Sequence, residues 1–366
     1  MRQTKKTPTA KKPHAPKRSR WWFWPAIPIL LLPVVAGSAF IIYGFWHSHI
    51  ERGQFGVSDT YLGENLAHSL DLKLAAKASY PSSPLTVAQD LGLVDGLHDQ
   101  IFQYQVRDDN LTEYGLMVLP PTPEPAGGYP TVILLHGYVT PGRYKTDTAY
   151  LAESEFYASH GFLVVKPDLR GQGLSIDDGF ADSAYYSMSY NTDVLSLISA
   201  LRQTHYVDKT DINLWGHSMG AYLALRAAVL SKDVKNVILL SGPVDSLEEM
   251  YLTYIPPSDE NNPYALATRN EVFAKYGTPA DNRNFWYDAS PINFLSNIKG
   301  SVQIHAGLED ALVSPKFSAD LNDALNKTRV KHQYYVYPDG NHSLEAQRPD
   351  IYERSLQLLD STTGPS

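Results

Sequence analysis

The sequence predicts an α/β protein: a doubly wound, mostly parallel sheet, a helical cap inserted into it, and one transmembrane helix ahead of it. Three observations carry that reading. Short uninterrupted apolar runs alternate with helix-period segments from residue 99 to residue 361. One long segment, 243–290, breaks the alternation and is rich in Tyr, Pro and Asn. Residues 21–46 hold no charged side chain.

The chain of 366 residues is 43% hydrophobic and 19% charged, which is enough apolar material for a sizeable core. It has no cysteine, so disulfide scaffolds, thiolate metal sites, iron–sulfur centres and a cysteine nucleophile are excluded. Of its 31 Lys and Arg, eight lie in residues 1–20, which contain no acid. The other 23 stand against 39 Asp and Glu, so the remainder is acidic and nucleic acid is not an expected partner.

Residues 1–20 are basic and Pro-rich, without apolar periodicity, and are expected as a disordered cytoplasmic tail. Residues 21–46 are long enough for a spanning helix, which needs about 20 apolar residues. Trp21, Trp22 and Trp24 at one end and Tyr43 and Trp46 at the other fit two interfacial belts. The apolar stretch is longer than that of a cleaved signal peptide, so a signal anchor is expected. The basic leader then stays in the cytoplasm and everything after residue 46 lies outside. Residues 47–98 read as a stalk or small helical attachment. Spacing in 63–78 is helical, YPSSP (80–84) breaks it, and 86–97 is helical in spacing again.

The catalytic domain is expected over 99–361. Residues 101–109 and 112–121 alternate as two antiparallel strands around a turn. TVILLHG (131–137) and FLVVKPD (162–168) are the continuous apolar runs of strands buried on both faces, with a helix between them at 147–161. A helix at 192–204 leads to the strand DINLWGHS (211–218) and the helix MGAYLALRAAVL (219–230). Further strands follow at 234–242, 301–307 and 332–338, with helices at 315–327 and 343–360. A connection as long as 243–290 between core strands is usually functional, and it reads as a partly helical cap over the site.

Gly216-His217-Ser218-Met219-Gly220 matches the G-x-S-x-G nucleophile elbow, placed between a buried strand and a helix. The turn is so tight that its flanking residues must be small, and it holds the Ser218 hydroxyl at the carboxyl edge of the sheet. The following helix aims its positive end at a developing oxyanion. Serine needs a base, and the base an orienting acid. In chain order these should follow later strands. His342, after the last strand, is the expected base, and Asp310 is favoured over its neighbour Glu309 as the acid. The oxyanion hole should draw on the backbone N–H groups of Met219 and Tyr138. His136 and His217 are read as structural. Asp168-Leu169-Arg170-Gly171-Gln172-Gly173 lacks the rest of a phosphate or dinucleotide fingerprint and reads as a structural turn beside the site. No metal-ligand spacing and no cofactor motif is present, so neither is expected. Tyr251, Tyr254, Phe285 and Trp286 of the cap are the candidate substrate contacts.

On these residues the chain resembles the α/β-hydrolase superfamily over about 99–360. More narrowly, it is similar to the catalytic domain of the prolyl oligopeptidase family and to related esterases. The resemblance rests on His136-Gly137-Tyr138, the turn at 168–173, GHSMG, the block from Ser290-Pro291 through Gly307 to Asp310, and YPDGNHS at 337–343. It implies a Ser218–His342–Asp310 triad. Two departures stand out. Family peptidases usually carry an S-Y-G-G type elbow where this chain has Ser218-Met219-Gly220-Ala221, and a large β-propeller for which residues 47–98 are too short. The expected function is therefore a membrane-anchored extracytoplasmic serine hydrolase. It would cleave carboxylic ester or amide bonds through an acyl-enzyme, on a small-molecule ester or short peptide. The alternatives are a prolyl-oligopeptidase-like peptidase, an acyltransferase on envelope lipids or glycans, and a non-catalytic binding module.

Overall fold

A computed structural model describes residues 66–106, 109–139, 141–175, 188–254 and 263–362. Its frame is a nine-stranded sheet in the order β1-β2-β3-β5-β4-β6-β7-β8-β9. The strands are β1 (Thr86–Val94), β2 (Leu97–Val106), β3 (Leu111–Leu119), β4 (Tyr129–Leu135), β5 (Leu163–Pro167), β6 (Val207–His217), β7 (Val234–Leu240), β8 (Ser301–Gly307) and β9 (His332–Tyr337). From β5 to β9 the neighbours run parallel, while β1, β2 and β3 form an antiparallel flank joined to β5.

The apolar runs are continuous because both faces of the parallel strands are covered. Ile133 and Leu135 of β4 and Ile212 and Leu214 of β6 enter the larger core. That core also takes in helices α2 (Ser189–Gln203), α3 (Met219–Leu230) and α6 (Pro315–Leu325). The alternate residues Val132, Leu134 and Trp215 pack with α1 (Leu151–Ser159) and α7 (Arg348–Thr362) on the other face. All five parallel pairings send their strand ends to one edge, so the loops after β4, β6, β8 and β9 meet there.

Residues 86–97, expected as a helix in a stalk or attachment, instead form β1 and the start of β2. β1 pairs antiparallel with β2 through two register shifts, at Val87/Gln89 and Asp90/Gly92. Nearly every residue of β1 is exposed. With no buried face, the spacing of Val87, Leu91 and Val94 mimics a helix, and periodicity carries no information about the true element. The segment before it is also built into the domain. Leu70 and Ala75 pack under the cap, and Leu72 joins the main core. The Leu70 carbonyl accepts from the Arg226 guanidinium at 3.2 Å.

The turn at 168–173 is the structural device the sequence suggested. Arg170 is buried and reaches Asp193 of α2 with Nε (3.0 Å) and Nη2 (2.5 Å). Asp168 Oδ2 accepts from Thr146 Oγ1 (2.6 Å) and from the Leu174 N–H (2.8 Å). Glu113 of β3 lies beside this cluster with no exposed surface, and neither carboxyl oxygen has a hydrogen-bond partner. Burial, helped by the Asp193 carboxylate, pushes the Glu113 carboxyl well above its usual range; burial also raises the Asp193 carboxyl, and the Arg170 guanidinium offsets only part of that rise.

Glu113 therefore binds a proton when folded that it loses when unfolded above about pH 4.3. Stability falls as pH rises from that unfolded value toward the raised folded one. Glu113→Gln keeps the shape without the titration. It is expected to raise the melting temperature at pH 8 by about 2–5 °C, with the gap closing near pH 4. Thermal unfolding at the two pH values checks this, and an equal or lower melting temperature at pH 8 contradicts it.

Candidate active site

The reversal from β6 into α3 builds the site. Ser218 sits between them at φ 55°, ψ −121°, a left-handed conformation that a residue with a Cβ rarely adopts. Its N–H donates to the Leu240 carbonyl (2.9 Å), which fixes the turn to β7. A Cβ on Gly216 would stand 2.3 Å from the Gly220 carbonyl oxygen, and one on Gly220 would stand 2.0 Å from that of Leu135. Both positions are thus closed to any side chain. Met219 is the first residue of α3, so its N–H has no acceptor within the helix.

The loops after β8 and β9 are fastened to each other. The N–H groups of Leu308 and Glu309 donate to the carbonyls of Tyr337 and Gly340, each at 2.9 Å. Gly307 lies so close that a Cβ there would fall 2.2 Å from the Gly340 oxygen. This pairing brings Asp310 under His342. His342 Nδ1–H donates to Asp310 Oδ2 (2.8 Å), and Ser218 Oγ–H donates to His342 Nε2 (3.0 Å). Asp310 Oδ1 accepts from the N–H groups of Leu312 (2.9 Å) and Val313 (2.8 Å). Burial alone would raise the Asp310 carboxyl, but the bonds from His342 and the two N–H groups outweigh it and hold the carboxyl below its usual range. The side chain of Asp310 is 2% exposed and that of His342 18%, so the acid is shielded while the imidazole stays reachable. Glu309 is exposed, and exposed Asp339 bonds Gln347 (3.3 Å).

Tyr138 is on the loop after β4. That loop reaches Ser218: a Cβ on Gly137 would be 3.1 Å from the Ser218 Cβ. Two residues around it carry more than the sequence suggested. Tyr150 Oη–H donates to His217 Nδ1 (2.7 Å), and the Gly137 N–H donates to Tyr150 Oη (3.0 Å). His217 Nε2–H in turn donates to the His342 carbonyl (2.9 Å). Nothing in the sequence singled out Tyr150, which precedes α1 in no recognised motif. His217 was visible inside the elbow, but its partners lie far away in the chain. His136 is buried between two carbonyl oxygens, that of Gly137 2.8 Å from Nδ1 and that of Asp168 3.3 Å from Nε2. Burial pushes it down to about 4, so the neutral ring has one proton, and the shorter contact assigns it to Nδ1, which donates to Gly137.

The cap residues need a correction. Tyr251 and Trp286 were expected to touch substrate, yet they are 0% and 1% exposed. They pack edge to face at 5.2 Å in a small core with Leu247, Val272 and Ala289. Phe285 stacks on Tyr276 at 4.1 Å, and Trp286 Nε1–H donates to the Gly277 carbonyl (3.1 Å). A long insertion must bury aromatic rings of its own to be stable, and these rings serve that core. They lie on helices α4 (Pro263–Tyr276) and α5 (Arg283–Asp288) and on the turn at Met250–Tyr254. The Tyr254 side chain lies outside the described residues.

The sheet order, the elbow and the acid and base loops define the α/β-hydrolase fold. Among solved structures, the chain is similar to an acetyl xylan esterase from Paenibacillus sp. R4 (20% identity, TM-score 0.57, covering 77% of this chain and 88% of that one). It is also similar to the Pyrococcus horikoshii acylaminoacyl peptidase (20% identity, TM-score 0.58, covering 74% and 43%). Residues 148–365 match the prolyl oligopeptidase family, and the chain belongs to it. Its relatives include dipeptidyl-aminopeptidase B of Aspergillus niger, 26% identical over 277 residues, or 72% of this chain and 28% of that protein. The acylamino-acid-releasing enzyme of Rattus norvegicus is 23% identical over 259 residues, or 68% and 33%. The chain thus spans about a third or less of the length of these two relatives.

Gly220→Ala places a Cβ against the Leu135 carbonyl and is expected to cost about 2–4 kcal/mol in denaturant unfolding. Gly142→Ala, where a Cβ meets nothing within 4 Å, should stay within about 0.5 kcal/mol of the parent. Equal effects at the two positions would show that the elbow is not packed as described.

Proposed function

We propose that the chain is a membrane-anchored serine hydrolase that cleaves carboxylic ester or amide bonds. The observation that carries this is the chain of hydrogen bonds from Ser218 through His342 to Asp310, at 3.0 Å and 2.8 Å, on a strained elbow. Ser218 Oγ attacks the carbonyl carbon as its proton passes to His342 Nε2. Asp310 holds the imidazole in the right tautomer and stabilises its cation. The N–H groups of Met219 and Tyr138 receive the oxyanion. His342 then gives the proton to the leaving alcohol or amine, and water repeats the sequence on the acyl-enzyme, releasing the acid and restoring Ser218. No cofactor takes part in these steps.

Membrane attachment through residues 21–46 is supported by their sequence: no charge, aromatic ends, and a basic leader that keeps the N-terminus in the cytoplasm. Those residues lie outside the described ones, among which no helix is long and apolar enough to cross a membrane. For the substrate, the loops that carry Asp310 and the oxyanion donor bear exposed apolar side chains: Leu308 and Leu312, two residues to either side of Asp310, are 54% and 67% exposed, and Tyr138 is 44% exposed. Those side chains favour an apolar acyl group. A peptidase acting on short peptides is the second reading, favoured by the dipeptidyl-aminopeptidase and acylaminoacyl peptidase relatives.

The test is fluorophosphonate labelling of the full chain beside Ser218→Ala, His342→Ala and Asp310→Asn. Wild type should label, the first two should not, and Asp310→Asn should lose about 10³- to 10⁴-fold in rate. No labelling of folded wild type overturns the mechanism. On p-nitrophenyl esters, kcat/KM should rise from acetate to octanoate. A flat series with rapid cleavage of acyl-peptide or X-Pro amides would favour the peptidase reading.

A further inference from the structure

His217 and Tyr150 connect two loops that a serine hydrolase must hold in register. Hydrogen-bond logic fixes their protons. The His342 carbonyl can only accept, so His217 Nε2 carries the proton and Nδ1 is the acceptor. Tyr150 Oη must then donate to Nδ1, which leaves its lone pairs for the Gly137 N–H. Burial reinforces each assignment by pushing His217 down to about 4 and the Tyr150 phenol up to about 12. The pair therefore keeps one protonation pattern across the neutral range.

The two ends of this connection matter. One is the backbone of His342 itself, whose ring lies beside the His217 ring with centroids 5.0 Å apart. The other is the Gly137 peptide on the loop that closes over Ser218. His136 donates to the carbonyl of the same Gly137, so that residue is pinned at both its N–H and its C=O. A trans peptide sets its C=O and the next N–H in opposite directions. Fixing the Gly137 carbonyl therefore fixes the direction of the Tyr138 N–H. The bond to Tyr150 also commits the Gly137 N–H, so the Tyr138 N–H is the donor this loop contributes in the proposed mechanism.

We propose that Tyr150 and His217 are positioning residues that lock the oxyanion loop at Gly137–Tyr138 to the base loop at His342, so that donor and base keep one geometry about Ser218. Neither touches the reacting atoms. This rests on the reading of Ser218 as nucleophile and His342 as base, and it adds a specific dependence: the tetrahedral state suffers when the lock is cut, and ground-state binding does not.

The test compares the full chain with Tyr150→Phe, His217→Ala, His217→Gln and the Tyr150→Phe/His217→Ala double variant. Three quantities are read: kcat and KM on a p-nitrophenyl ester, the dissociation constant of a phenylboronic acid, which forms a tetrahedral adduct on serine, and the melting temperature. Tyr150→Phe should lower kcat about 10- to 100-fold, weaken the boronate by a similar factor, and leave KM within about twofold. His217→Ala should do the same, and the double variant should be no worse than the worse single one, because both cut one connection. His217→Gln, which can still donate to the His342 carbonyl, should recover part of the loss. If Tyr150→Phe does not fold, the two His217 variants still decide the matter. A lower melting temperature with kcat and boronate affinity at wild-type levels overturns the proposal and leaves a packing role. A folded wild type that neither hydrolyses the ester nor binds the boronate overturns the underlying reading of Ser218 as well.

Discussion

At Ser218 the backbone is forced into a left-handed turn where β6 meets α3, and the positions of the other site groups follow from that turn. It is strained by about 1–3 kcal/mol, and the surrounding packing holds it in place. Gly216 and Gly220 let carbonyls come within distances that no Cβ would allow, and the Ser218 N–H is tied to Leu240 of the neighbouring strand. A serine on an ordinary helix or strand would present its hydroxyl sideways, among its neighbours. Here it stands at the tip of the turn, at the start of α3, within 3.0 Å of an imidazole that comes from the far edge of the parallel sheet.

That arrangement explains why, among His136, His217, His305 and His342, it is His342 that suits the proposed role of base. His136, His217 and His305 are all buried, and burial drives each well below the usual histidine range. Their ring nitrogens meet carbonyls, phenols or an amide, so they are fixed neutral connectors. His342 alone among these four pairs with a carboxylate and keeps part of its ring in solvent. The carboxylate is in turn prepared for the task. Two backbone N–H groups and the imidazole keep Asp310 ionised in spite of its burial. The electrostatic work is therefore done before any substrate arrives.

Much of this was legible in the sequence, for physical reasons that differ by element. The parallel strands were readable because both faces are covered, which demands uninterrupted runs such as TVILLHG and FLVVKPD. The elbow was readable because two close approaches require glycine at fixed offsets from Ser218. His342 and Asp310 were found through their places after strands, since chain order decides which loops reach the site edge. β1 was not legible, because an edge strand with no buried face has no alternation to display. The cap aromatics misled because a ring that binds a ligand and a ring that fills a small core look the same in sequence. Tyr150 escaped notice for a different reason: its partners, Gly137 and His217, are joined to it only by the fold.

The most direct measurement is a crystal structure of the full chain after reaction with a phosphonate that mimics the tetrahedral state. The phosphorus should be bonded to Ser218 Oγ, with its free oxygen within about 3.1 Å of the N–H groups of both Met219 and Tyr138. His342 should still bridge the adduct and Asp310. A phosphorus on another residue, or an oxygen turned away from both N–H groups with His342 displaced from Asp310, would contradict the mechanism at its centre.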